Sequence, residues 1–179
     1  MTRRRLLQAS TASVILPAIT RGASTSSQTL VVADGLDRWG HRITARGFPW
    51  AKVSSNDTGG AWTMFESPVS PQFGVPLHIH HHMEEWFFIL EGEFLFEVDG
   101  RRHPITAGTS VLIPRGSPHR FKNTATVIGR FIGLCQPAGL MEECVAALSR
   151  MTEADRSNAE KMKAMFAEYD VDVIGPPLP

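Results

Sequence analysis

"GTSVLIPRGSPHRFKN", Gly108 to Asn123, is the stretch from which the rest of the chain can be placed. Its first half, "SVLIP", is an apolar run of strand length that stops at Pro114-Arg115-Gly116, where proline presets φ and glycine closes a tight turn. Its second half, "HRFKN", reads as another short strand, with His119 and Phe121 sharing one face. Strand, tight turn, strand within so few residues points to an antiparallel β protein.

The same texture extends in both directions. "AWTMFES", "VPLHIHH", "EEWFFILE", "EFLFEVD", "RRHPIT" and "TVIGRFIGLC" are further strand candidates, and Asp99-Gly100 between two of them is a hairpin signal. Many short strands at close spacing favour a sandwich or barrel over a parallel sheet with crossover helices. After Pro137 the period changes. "GLMEECVAALSR" sets Leu140, Cys144 and Leu148 four apart, and "NAEKMKAMFAEYD" puts Met162, Phe166 and Tyr169 on one face, so both predict amphipathic helices packing on the barrel's outside. "VDVIGPPLP" reads as an extended tail.

The chain has 179 residues with 18 basic and 18 acidic side chains, enough for one core and without a net field for nucleic acid or anionic membrane. Small organic molecules are the favoured partners. Cys135 and Cys144 are the only cysteines, and they read best as small buried apolar residues, although an oxidising compartment would permit a bridge.

Residues 1–27 differ in kind. Arg3, Arg4 and Arg5 precede a weakly apolar segment from Leu6 to Ile19 and then a Ser/Thr-rich stretch, the layout of an export signal. Thr2 to Gln8 resembles the bacterial twin-arginine signal, which implies export to the periplasm or beyond. The segment is too short and interrupted to span a bilayer. The expected organisation is therefore an export signal over 1–27, a β-barrel over 28–136, and helices with a tail over 137–179.

The chemistry concentrates in "LHIHHHMEEWFFILEG", Leu77 to Gly92. On a strand His78, His80 and His82 point one way and His81 the other, so a His-x-His pair converges two imidazoles on one point, as a metal site requires. Here the sequence resembles the cupin superfamily, whose second motif, G-x5-P-x-G-x2-H-x3-N, is met at Gly108, Pro114, Gly116, His119 and Asn123. The first motif, G-x5-H-x-H-x(3 or 4)-E-x6-G, admits two registers. Counting back from Gly92 gives His78, His80 and Glu85. Counting forward from Gly74 gives His80 and His82 but no glutamate in place, and Glu84 is the second choice for the carboxylate. The preferred register has one departure, Gln72 in place of a glycine, so that Gly74 is expected to serve the turn.

The resemblance implies an all-β double-stranded β-helix with a short helical C-terminal segment. It also implies one divalent transition-metal ion per chain (Fe, Mn, Ni, Co, Cu or Zn) held by His78, His80, Glu85 and His119, and a homodimer. Glu85 has the opposite parity to His80, so a bend at His81 to Glu84 is expected to reverse the alternation. Phe87, Ile89, Phe94, Phe96 and Phe121 are then expected to wall the substrate pocket, with His82 either in the bend or beside the site.

The stretch from Asn56 to Phe94 and the ending "EYDVDVIGPPLP" resemble single-domain cupins grouped with quercetin 2,3-dioxygenase. This implies O2-dependent cleavage of a flavonol-like or other enolisable aromatic substrate, with Glu85 as metal ligand and general base. A metal-dependent isomerase or decarboxylase of a small acid, or a non-catalytic metal or small-molecule carrier, are the alternatives. The isomerase or decarboxylase calls for a basic residue aimed into the barrel, and none falls on the Glu85 face of its strand.

Overall fold

The computed structural model describes residues 29–44 and 49–179, so the export-signal reading of residues 1–27 lies outside the described residues. Among the described residues, ten strands form two five-stranded sheets. They are β1 (Trp50–Val53), β2 (Thr63–Val69), β3 (Leu77–His80), β4 (Glu84–Glu91), β5 (Glu93–Val98), β6 (Arg101–Thr106), β7 (Ser110–Ile113), β8 (His119–Asn123), β9 (Gly129–Gln136) and β10 (Val171–Gly175). One sheet has the order β1-β2-β9-β4-β7 and the other β10-β3-β8-β5-β6, with antiparallel pairing throughout. This is the double-stranded β-helix expected.

Alternation along the strands fills the space between the sheets. Phe87 and Ile89 from β4, Phe94 and Phe96 from β5, Phe121 from β8 and Phe131 from β9 meet in one cluster. Edge-to-face contacts such as Phe87–Phe131 at 5.2 Å and Phe121–Phe131 at 5.3 Å suit the ring quadrupoles. Each such side chain contributes roughly 1.5–3 kcal/mol by leaving water. Trp86 and Phe88 face the other way and stack on each other at 6.0 Å, as the parity of β4 requires.

The turns work as the sequence implied, with one exception. Asp99 (φ 49) and Gly100 (φ 74) both take the left-handed conformation that a tight hairpin between β5 and β6 needs. Gln72, however, adopts φ 60 itself, so it performs the turn that Gly74 was expected to serve. Gly74 is needed for a different reason. A Cβ there would lie 2.6 Å from the Phe121 carbonyl oxygen, so only glycine lets this segment bridge to β8. The wholly buried Asn123 fastens the same corner, donating from Nδ2 to the carbonyls of Val69 and Val127 at 2.9 Å each.

The C-terminal segment departs from expectation in one way. Helices α1 (Met141–Arg150), α2 (Glu153–Arg156) and α3 (Ala159–Ala167) do not pack only on the barrel's outside, because apolar residues of α1 and α3 help wall the cavity between the sheets. In the extended tail, β10 adds to the edge of β3, with Val171 opposite His80 and Val173 opposite His78. Glu142 fastens α1 to the barrel, accepting from Ser54 Oγ at 3.0 Å, from Thr63 Oγ1 at 2.9 Å and from the Ser55 backbone N–H. Among the described residues no helix is long and apolar enough to cross a membrane.

Candidate metal centre

The bend between β3 and β4 builds the site. The strands belong to opposite sheets, so residues His81 to Met83 carry the chain across the barrel mouth. Met83, 2% exposed, anchors the crossing. The parity conflict between His80 and Glu85 thereby disappears: each points inward from its own sheet. His119 comes alongside because β8 pairs with β3, placing it directly opposite His78. The Gly116 N–H donates to the His80 carbonyl at 2.8 Å and ties the Pro114 turn to the same place.

His78, His80, Glu85 and His119 each offer one donor atom, and these atoms lie within 4.8 Å of one another. Donors around a first-row ion at about 2.1 Å stand at most about 4.2 Å apart, so sub-ångström adjustments complete a coordination sphere. The tautomers suit this. His78 Nδ1 lies 2.8 Å from the Pro76 carbonyl and His119 Nδ1 lies 2.9 Å from the Ser117 carbonyl, so each Nδ1–H donates to backbone and each Nε2 is the atom turned to the centre. Glu85 Oε2 lies 2.9 Å from His119 Nε2 and 3.4 Å from His80 Nε2. His80 Nδ1 is buried without a hydrogen-bond partner.

The electrostatics point the same way. Burial, with the neighbouring His119 and His80, lowers His78 to about 3 and keeps its imidazole neutral. Burial alone would raise Glu85. The charge of His80 and the hydrogen bonds of both imidazoles override it and hold the carboxyl well below its ordinary range. Burial would likewise lower His119, but its bond to Glu85 raises it instead. A carboxylate and three imidazoles shut away from water are compatible with a metal site: an ion satisfies all four donors at once.

The cluster opens onto a cavity of about 750 Å³. Around the site its walls are Phe87 and Phe121, with Phe65, Phe131, Gly133 and Cys135 from β2 and β9. Met141, Cys144, Val145 and Leu148 of α1 and Met162 and Phe166 of α3 close it from above. Among the described residues no lysine or arginine of a barrel strand lines it, although Arg156 and Lys163 reach it from the helices.

Of the expected wall residues, Phe87 and Phe121 take that place. Ile89, Phe94 and Phe96 do not, because they are at most 1% exposed and fill the closed core beyond the cavity. His82 points outward, its Nδ1 2.9 Å from Asp170 Oδ2, and borders a separate depression with Met83 and Leu140. His81 also faces Asp172 on the outside, at 4.0 Å. Both cysteines are free and buried, and burial, then the Glu85 charge, raises Cys135 well above its ordinary value and Cys144 to about 12.

The fold is a double-stranded β-helix, and residues 67–135 match the Cupin domain family. Among curated proteins, Protein SchB of Streptomyces halstedii is 34% identical over 77 residues, covering 42% of this chain and 56% of SchB. Mannose-1-phosphate guanylyltransferase of Escherichia coli (strain K12) is 29% identical over 98 residues, which cover 54% of this chain and 20% of that protein. The chain thus spans about half the length of the first relative and a fifth of the second. Among solved structures, an uncharacterized conserved protein with a double-stranded beta-helix domain from Klebsiella pneumoniae subsp. pneumoniae MGH 78578 has a TM-score of 0.50 at 14% identity. That likeness, over 62% of this chain and 92% of the other, is one of fold alone.

Proposed function

We propose that the chain binds one divalent transition-metal ion through His78, His80, Glu85 and His119 and acts as a dioxygenase on a flavonol-like or other enolisable aromatic substrate. The observation that carries this reading is the position of the His/His/Glu/His cluster beside an apolar, aromatic-walled cavity of about 750 Å³, a volume that suits a multi-ring molecule. A bound first-row ion supplies Lewis acidity toward an enol oxygen and a redox partner for dioxygen.

The chain's own residues do the rest. His78, His80 and His119 hold neutral Nε2 atoms toward the centre, and Glu85, the only anionic member, accepts the substrate's enol proton at its carboxylate. Phe87, Phe121 and Phe131 hold the ring and exclude water, while α1 and α3 cover the mouth. An isomerase or decarboxylase of a small acid fits less well, since among the described residues the cavity's cations, Arg156 and Lys163, come from the helices and not from the strands that carry the cluster.

The test is aerobic incubation of metal-loaded protein with a panel of flavonols and catechols. Bleaching with release of carbon monoxide, absent without O2, is the expected outcome. No reaction across the panel would leave a binding role for the same site. The reading also carries export by the twin-arginine route and assembly as a homodimer. Replacing Arg3 and Arg4 by lysine is expected to strand the precursor in the cytoplasm.

A further inference from the structure

The two oxygens of Glu85 face different partners. Oε2 turns to the imidazoles, whereas Oε1 lies 3.7 Å from Cys135 Sγ, within range of an S–H···O hydrogen bond. The register builds this contact in, because Glu85 on β4 stands directly opposite Cys135 on β9 and both side chains face the cavity. Cys135 is only 3% exposed, and Gly133, the next inward position on β9, has no side chain to compete for the carboxylate.

We propose that Cys135 is a positioning residue of the metal centre: its S–H holds Oε1 of Glu85, so that the carboxylate presents Oε2 alone to the three imidazoles. The consequence for coordination rests on the metal reading above, but the hydrogen bond does not. With Oε1 held, Glu85 occupies one coordination position instead of two and leaves the other for substrate. A thiol is a weak donor, so it aims the carboxylate without locking it. Glu85 stays free to swing when it takes a proton.

Two measurements test this. In metal-free Cys144→Ser protein Cys135 is the sole thiol, and its S–H infrared stretch falls in a window clear of other protein bands. Adding Glu85→Ala is expected to move that band to higher frequency, and an unmoved band overturns the hydrogen bond. The second uses Co(II)-loaded full-length protein. Cys135→Ala is expected to weaken Co(II) binding about 10-fold, as is usual for groups that orient a ligand. It should also shift the visible d–d bands toward those of an ion with one more oxygen ligand, and Cys135→Ser should restore them. Identical spectra for wild type and Cys135→Ala overturn the positioning role. If the wild type takes up no Co(II), the metal reading fails, and the infrared comparison still decides whether Cys135 holds Glu85.

Discussion

Acidifying the metal-free protein is expected to remove stability through His78. Its imidazole stays neutral in the fold down to about 3, whereas in the unfolded chain it takes a proton near 6.5. The unfolded state therefore binds more protons between those values, so this contribution is complete above about 6.5 and is lost progressively as pH falls toward 3. Each unit is worth about 1.4 kcal/mol, so two units of acidification remove about 3 kcal/mol at most. Because the unfolded imidazole is already half-protonated at 6.5, the change from there to 4.5 is about 2 kcal/mol.

The neighbours bound the useful window. His119, raised by Glu85, contributes stability that is present below about 6.5 and lost as pH rises through its raised value. Glu85, held low, contributes above about 4.5 and loses its contribution below that as pH falls through its depressed value. Between about pH 4.5 and 6.5 His78 is the main acid-side term. Urea denaturation in chelator, at several pH values in that window, compares wild type with His78→Gln. The wild type should lose about 2 kcal/mol more than the variant on acidification. Equal losses would refute the reasoning, because they would mean that His78 gains no protons on unfolding.

Three other substitutions separate the cavity from the scaffold. A Cβ at Gly133 would meet Phe131 and Phe87 at 3.6 Å or more, so Gly133→Ala should leave stability unchanged or raise it by up to about 1 kcal/mol while weakening binding of multi-ring ligands, read by calorimetry. Glu142→Ala removes the acceptor of Ser54, Ser55 and Thr63 and should cost about 2–4 kcal/mol, with amide exchange rising first in α1. Phe96→Ala should cost about 3–5 kcal/mol by cavity formation yet leave metal stoichiometry unchanged, since Phe96 lies in the closed core and not at the site.

What the sequence made legible was whatever short-range spacing controls. Set against the cupin motifs the sequence resembles, Gly92 fixes the count to Glu85 and the Gly108 to Asn123 stretch fixes His119, so that resemblance named the four clustered residues. Parity also placed Phe87 and Ile89 on the inner face correctly. Parity gives a face but no depth, which is why Ile89, Phe94 and Phe96 were expected at the pocket and lie in the core instead. The walls from Phe65, Phe131, Gly133 and Cys135 depend on β9 inserting between β2 and β4, a long-range pairing with no local signal. The helices followed the same pattern. Their apolar faces were readable, but what those faces meet was not. Gln72 shows the limit of motif reasoning, since a side chain tolerated at φ 60 does what a glycine was expected to do.

Metal analysis of the purified wild type and of His119→Ala, on preparations shown to be folded, tests the central claim most directly. About one first-row transition-metal ion per chain is expected in the wild type, and most of it should be missing from the variant, whose buried Nε2 donor is gone. A wild type that takes up no stoichiometric metal, or a variant that retains all of it, would contradict the assignment of His78, His80, Glu85 and His119 as a metal centre.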